Sequence, residues 1–230
     1  IGIKNRFFSV ISHDLKSPFN VLLGMTQMMS KMADSFTKEE LVESAGNVNE
    51  AGDRVFELLQ NLLEWSRLQM EGATFEPELI SLHDLTQKSI EVLDPGAKEK
   101  GISLSNEVKK DTAFADPDMT QTVIRNLISN SLKFTPSGGK IEISSDTKDG
   151  IVEVTVSDTG VGISMEQADK IFALDQKTST TGTAGETGTG LGLPLCKEMI
   201  EKNGGNIWVE SVPAEGSQFH FTLPAEPDEK

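Results

Sequence analysis

Cysteine, long apolar runs and clustered positive charge are all scarce in this chain of 230 residues. The single cysteine, Cys196, excludes an internal disulfide and fits a reducing compartment. No stretch approaches the roughly 20 consecutive apolar residues that a membrane span needs. Lysine and arginine total 21 against 36 acids, a formal net charge of -15, and no dense basic cluster appears. That removes the electrostatic footprint of a duplex nucleic-acid binder, so no nucleic-acid partner is expected. The chain opens IGIKNRFF, without an initiator methionine or a signal peptide, which reads as a fragment of a longer protein. What remains is ordinary for a globular protein, 37% hydrophobic and 25% charged. The length suits one large domain or two modest ones.

Two halves with different periodicities follow. Phe8, Ile11, Leu15, Pro18, Leu22, Met25, Met29 and Met32 step by threes and fours, a heptad seam. Ser35–Glu40 reads as a turn leading into acids suited to a first helical turn. Leu41, Ala45, Val48, Gly52, Val55, Leu59 and Leu62 form a second stripe, widened by Phe56, Leu63 and Trp65. Two such helices make a hairpin, and a stripe this broad predicts a homodimer whose two hairpins close a four-helix bundle.

After the Gly- and Pro-containing linker Gly72–Glu78 the pattern becomes α+β. LHDLTQKSIEVL is helical, ISLSNEV alternates like a strand, and Asp116-Pro117 opens a helix running to about Lys133. KIEISSDT and GIVEVTVSD flank Lys148-Asp149-Gly150 as a hairpin. Helices are expected over Met165–Phe172 and Leu191–Lys202, and NIWVESV and SQFHFTLP read as closing strands.

Three stretches of this second half carry chemistry. In NLISNSLKFTPSGG, Asn126 and Asn130 are four apart on one helix face with Lys133 a turn further on. Carboxamide oxygens and an ammonium suit Mg²⁺ and phosphate. In SDTGVGIS, an acid at a strand end, Asp158, precedes Gly160 and Gly162. The acid can accept from an exocyclic amine, and the glycines let a flat ring approach. In TGTGLGLPLCKEMI, Gly188, Gly190 and Gly192 run into a helix N-terminus and form an anion-binding nest. The preceding DQKTSTTGTAGE has almost no apolar anchors and reads as a mobile lid. No Walker loop is present.

In this order the three stretches resemble the N box and the two glycine boxes of the ATP-binding domain shared by sensor histidine kinases, gyrase-type ATPases and certain chaperones. KIFAL, with Phe172, is similar to the phenylalanine box. FFSVISHDLKSPFN resembles the phosphoacceptor box of sensor histidine kinases, and a helical hairpin ahead of the ATP-binding half favours that branch. The resemblance implies a dimerisation and phosphoacceptor domain over 1–74 and a Bergerat-type α+β sandwich over 75–230. It implies that Asn130 coordinates Mg²⁺, with Asn126 beside it and Lys133 at the phosphates next to Phe134. Asp158 would meet the adenine amine, flanked by Gly160 and Gly162. Lys177 would be the basic residue after the phenylalanine box, and Gly188, Gly190, Leu191 and Gly192 would line the phosphate path. ATP and Mg²⁺ are thus the expected ligands, and a response-regulator receiver domain the expected partner. The upstream sensor segment is absent from this fragment, which would be the cytoplasmic part of a membrane-bound sensor.

His13 is the expected phosphoacceptor. With Phe8 at heptad position a and Ile11 at d, His13 falls at f, away from the bundle core. A neutral imidazole, the main form at pH 7 for an unperturbed pKa of about 6.5, accepts a phosphoryl group well. Asp14 is placed to orient it or accept its proton. Ser17, one turn on, stands where the family commonly uses threonine or asparagine to orient a dephosphorylating water, so regulator phosphatase activity is a further expectation. Pro18 removes the backbone donor that would bond to the Asp14 carbonyl, which reads as a bend beside the acceptor.

Overall fold

The computed structural model describes residues 2–32, 35–69, 75–109, 111–168, 170–173, 180–186 and 188–227, with the side chains at 2–10, 13 and 69 outside that description. It divides into two compact units, Ile1–Glu71 and Gly72–Lys230.

The first unit is a helical hairpin of α1 (Gly2–Lys31) and α2 (Lys38–Gln69). α1 runs through Pro18 without interruption, and Pro18 is buried. α2 starts at a capping box. The Thr37 hydroxyl accepts from the Glu40 N–H at 3.2 Å, and the Glu40 carboxylate accepts from the Thr37 N–H at 2.8 Å. Ile11, Ala51, Val55, Leu58 and Trp65 are buried within the hairpin. The second stripe therefore differs from the expected one: Leu58 is 2% exposed, whereas Leu59 is 42% exposed. A stripe wider than one partner helix can cover leaves a second face uncovered. That face holds Phe56, Leu59 and Leu63 on α2, and Phe19 and Leu23 are likewise exposed on α1. No described helix is long and apolar enough to cross a membrane.

The second unit layers helices on a mixed sheet. Its elements are β1 (Glu78–Ser81), α3 (Leu82–Lys100), β2 (Ser103–Glu107), β3 (Thr112–Ala115), α4 (Pro117–Phe134), β4 (Lys140–Lys148), β5 (Ile151–Asp158), α5 (Met165–Ala168), α6 (Gly192–Lys202), β6 (Ile207–Val212) and β7 (Gly216–Pro224). The main sheet has the order β2-β4-β5-β7-β6, parallel only between β2 and β4. β1 and β3 form a separate antiparallel pair.

Period-two alternation builds the core. Ile141 and Ile143 of β4, Val152, Val154 and Val156 of β5, and Phe219, Phe221 and Leu223 of β7 form one buried face. α4 places Val123, Ile124, Leu127 and Ile128 against it. The β4–β5 turn is the expected one, with Asp149 (φ 51°) and Gly150 (φ 77°) both left-handed, as a two-residue type I′ turn requires.

Three expectations change. α3 extends past Leu93 and through Pro95 to Lys100, closed by Gly101 at φ 70°. The four-residue strands β1 and β3 were unforeseen. The helix expected over Met165–Phe172 shrinks to Met165–Ala168 and gives way to turns, with Ile171 alone of Lys170–Ala173 buried. Too few apolar anchors remain there to hold a helix.

Candidate functional site

The inward-facing row of β5 ends in an acid. After Val152, Val154 and Val156, the same alternation puts Asp158 on the core side, only 6% exposed. Its Oδ1 accepts from the backbone N–H of Gly160 at 2.9 Å and of Ser217 at 3.2 Å, and its Oδ2 accepts from the Ser131 hydroxyl at 3.1 Å. Burial pushes the Asp158 carboxyl pKa up and outweighs these hydrogen bonds, which pull it down. A desolvated carboxylate fixed by three donors is a strong acceptor.

Through Ser131 this acid meets α4. Asp116 caps it, accepting from the Met119 N–H at 3.0 Å, and Pro117 occupies the first turn. Its apolar line faces the sheet, which leaves Asn126, Asn130 and Lys133 half-buried rather than in the core. The Lys133 ammonium lies 4.8 Å from the Phe134 ring centroid.

The glycines are sites of close approach. A Cβ on Gly160 would lie 2.6 Å from Asp158 Oδ1 and 2.7 Å from the Phe134 carbonyl oxygen. That carbonyl also accepts from the Val161 N–H at 3.1 Å, stitching the loop after β5 to the end of α4. Gly162 has φ 68°, and a Cβ there would meet the Val212 carbonyl oxygen at 2.1 Å. A Cβ on Gly192 would lie 3.2 Å from Asn126 Oδ1, so the start of α6 passes directly by that carboxamide. α6 has no side-chain cap, and its N-cap residue Leu191 is buried.

Asn126, Phe134, Asp158, Gly160 and Gly192 are thus tied together around α4. Gly188 and Gly190 lie in the short loop before α6. Lys177 lies outside the described residues, and so does the His13 side chain. Asp14 and Ser17 belong to the hairpin unit, Asp14 half-buried and Ser17 exposed. Sequence reasoning missed Ser131, which is 1% exposed. Its signal was a hydroxyl one turn beyond Leu127 and Ile128 on the buried side of α4. Ser217 acts through its backbone, which leaves no trace in side-chain type.

This geometry has relatives. Residues 115–227 match the family model described as histidine kinase-, DNA gyrase B- and HSP90-like ATPase, and residues 3–71 match the His Kinase A phospho-acceptor domain. The catalytic domain of histidine kinase ThkA is 30% identical, with a TM-score of 0.58 over 67% of this chain and 99% of that one. The chain belongs to the histidine kinase family. Sensor protein GacS of Pseudomonas syringae pv. syringae is 29% identical over 228 residues, covering 96% of this chain and 25% of the relative. Histidine kinase ThkA in complex with response regulator protein TrrA shares the fold at 22% identity and a TM-score of 0.74, over 97% of this chain and 62% of that one. The chain spans between 19% and 56% of the length of the curated relatives it matches. Within the family it carries the phosphoacceptor and ATP-binding modules.

Proposed function

We propose that this kinase core transfers the γ-phosphoryl group of ATP to His13 and then passes it to an aspartate of a response-regulator receiver domain. The observation that carries the ATP half is Asp158, a buried acid held by Ser131, Gly160 and Ser217, with Gly160 pressed close against it. It would accept from the adenine amine, and Gly160 and Gly162 would leave room for the ring. Asn126, Lys133, Gly188, Gly190, Leu191 and Gly192 would hold the phosphates, with Phe134 backing Lys133 and Lys177 adding charge from the lid.

Mg²⁺ would neutralise the phosphate oxygens as the β–γ bond breaks. The half-buried Asn130 carboxamide fits a hard cation, and the described residues contain no cluster of three or more acids, histidines or cysteines that could cage one. A single oxygen ligand from the protein suits Mg²⁺, which keeps most of its waters and takes substrate phosphates.

At His13 a ring nitrogen would form the N–P bond as ADP leaves, and Asp14 would orient the ring or take its proton. Transfer to the regulator aspartate breaks that N–P bond and forms an acyl phosphate. Ser17 would orient a water for dephosphorylating the regulator.

Residues 1–74 act in this reading as the dimerisation and phosphoacceptor domain and 75–230 as the catalytic one. The exposed Phe19, Leu23, Phe56, Leu59 and Leu63 support a homodimeric four-helix bundle. The receiver-domain partner is supported by the ThkA–TrrA complex. The chain covers only 25% of sensor protein GacS, which supports a longer parent, and in this reading the chain would be the cytoplasmic part of a membrane-bound sensor.

The test is incubation with ATP labelled in the γ-phosphate. Label that is acid-labile and base-stable is expected on the wild type and absent from His13→Gln. Full labelling of His13→Gln overturns the acceptor assignment.

A further inference from the structure

The lid region is poor in apolar anchors, yet Gly182–Glu186 is folded into a compact knot. The Gly182 N–H donates to the Glu186 carbonyl at 2.7 Å, and the Glu186 carboxylate accepts from the Ala184 N–H at 2.8 Å. The knot sits on the C-terminal end of α4. The Thr183 N–H donates to the Lys133 carbonyl at 3.0 Å, and the Thr183 hydroxyl is shared between the carbonyls of Lys133 and Thr135, at 3.2 and 3.0 Å. Gly182 is pressed so close that a Cβ there would lie 2.6 Å from Lys133 Cγ.

One side chain organises this contact from outside the lid. Lys100, the last residue of α3, donates to the carbonyls of Leu132 at 2.7 Å and Lys133 at 3.0 Å, and to Glu186 Oε1 at 2.6 Å. The carbonyls at a helix C-terminus lack partners within the helix and carry its negative pole, so they attract a cation. The Lys100 side chain is only 14% exposed, and an ammonium so enclosed needs a counter-charge, which Glu186 supplies. A surface ion pair would matter little. This pair is partly buried, spans 86 residues of chain, and its lysine also caps the helix that carries Asn130 and Lys133.

We propose that Lys100 and Glu186 are positioning residues that latch the Gly182–Glu186 knot onto the end of α4 and so set how tightly the site holds nucleotide. The proposal rests on reading the segment before Gly188 as the lid of an ATP site. With the knot fastened beforehand, less of the lid has to be ordered when ATP binds, and the entropy of that ordering no longer opposes binding. The latch touches no reacting atom, so it acts on affinity and leaves the chemical step alone.

Glu186→Gln is the informative variant, because it keeps shape and the Ala184 contact while removing the charge. Hydrogen exchange of the nucleotide-free protein is expected to show faster exchange at Gly182 and Thr183. A fluorescent ATP analogue is expected to bind roughly three- to tenfold more weakly. KM for ATP should rise by the same factor, with the autophosphorylation rate at saturating ATP within about twofold of wild type. Lys100→Met should show the same loss of affinity plus a lower melting temperature, since it also uncaps α4, and Lys100→Arg should restore both. Unchanged exchange and affinity in Glu186→Gln overturns the latch, as does a fall in the saturated rate at unchanged affinity. A wild type that binds no nucleotide would defeat the ATP reading instead, while the exchange comparison would still decide whether the latch exists.

Discussion

The Ser131 hydroxyl donates to Asp158 Oδ2 at 3.1 Å and so joins the helix bearing Asn126 and Asn130 to the strand end bearing the acid. Ser131→Ala would leave Oδ2 desolvated without its donor, so the Asp158 pKa should climb further from its ordinary value. If ionised Asp158 receives the adenine amine, nucleotide affinity falls as pH drops through its folded pKa. In the variant that fall should begin at higher pH. Titrating fluorescent-nucleotide affinity against pH for both proteins checks this, and superimposable profiles would refute it.

The same shift has a consequence for stability. Asp158 holds its proton more tightly folded than unfolded, because burial raises its pKa from the ordinary aspartate value of 3.8. Between those two values stability contributed by this residue decreases as pH rises, and above the folded pKa the desolvation penalty is fully present. Asp158→Asn removes that penalty, so its melting temperature at pH 7 should equal or exceed that of wild type. The N–H donors of Gly160 and Ser217 hold an oxygen at the δ1 position, which forces the amide nitrogen to δ2, donor against donor for an adenine amine. Affinity should therefore drop by roughly tenfold to a hundredfold or more. A melting scan and a binding titration on one preparation separate the two effects.

Gly162→Ala should be among the most damaging small substitutions in the ATP-binding unit. The left-handed φ of 68° and the Val212 carbonyl oxygen 2.1 Å from the new Cβ both oppose it. A cost of about 2–4 kcal/mol is expected from strain and forced displacement together. Chemical denaturation read by tryptophan fluorescence would report it, and an unchanged midpoint would show that β6 can move aside freely.

On the hairpin, Leu59→Glu combined with Leu63→Glu puts charge on two residues that are 42% and 61% exposed in the single chain. If that face is the dimer seam, the dissociation constant should rise by roughly a hundredfold or more. The monomer hairpin contacts of Leu58 and Val55 would stay intact. Sedimentation at micromolar concentration distinguishes this from an unchanged assembly.

What could be read from sequence was what repeats locally. α4 announces itself through Asp116-Pro117 and a clean 3.6-residue apolar line, and Asn126, Asn130 and Lys133 are legible as the residues off that line. Asp158 is legible because strand alternation reaches it before the glycines begin. β1 and β3 left no such trace, since four-residue strands that pair across an intervening helix and strand have too few turns of period to detect. Nothing in the sequence links Lys100 to Glu186, because only the folded chain brings them together. The broad stripe of α2 showed that two faces were apolar but could not say which one met α1.

Two residues before β1 bear on how the ATP-binding unit can be handled by itself. The Glu76 N–H donates to Asp116 Oδ2 at 3.2 Å, using the second oxygen of the residue that caps α4. The Lys202 ammonium at the end of α6 lies 5.7 Å from the Phe75 ring centroid. A stand-alone protein cut at the first strand, Glu78, would keep both sheets yet lose two of the fastenings that join its leading edge to α4 and α6. The natural seam for a portable ATP-binding reagent is upstream of Phe75.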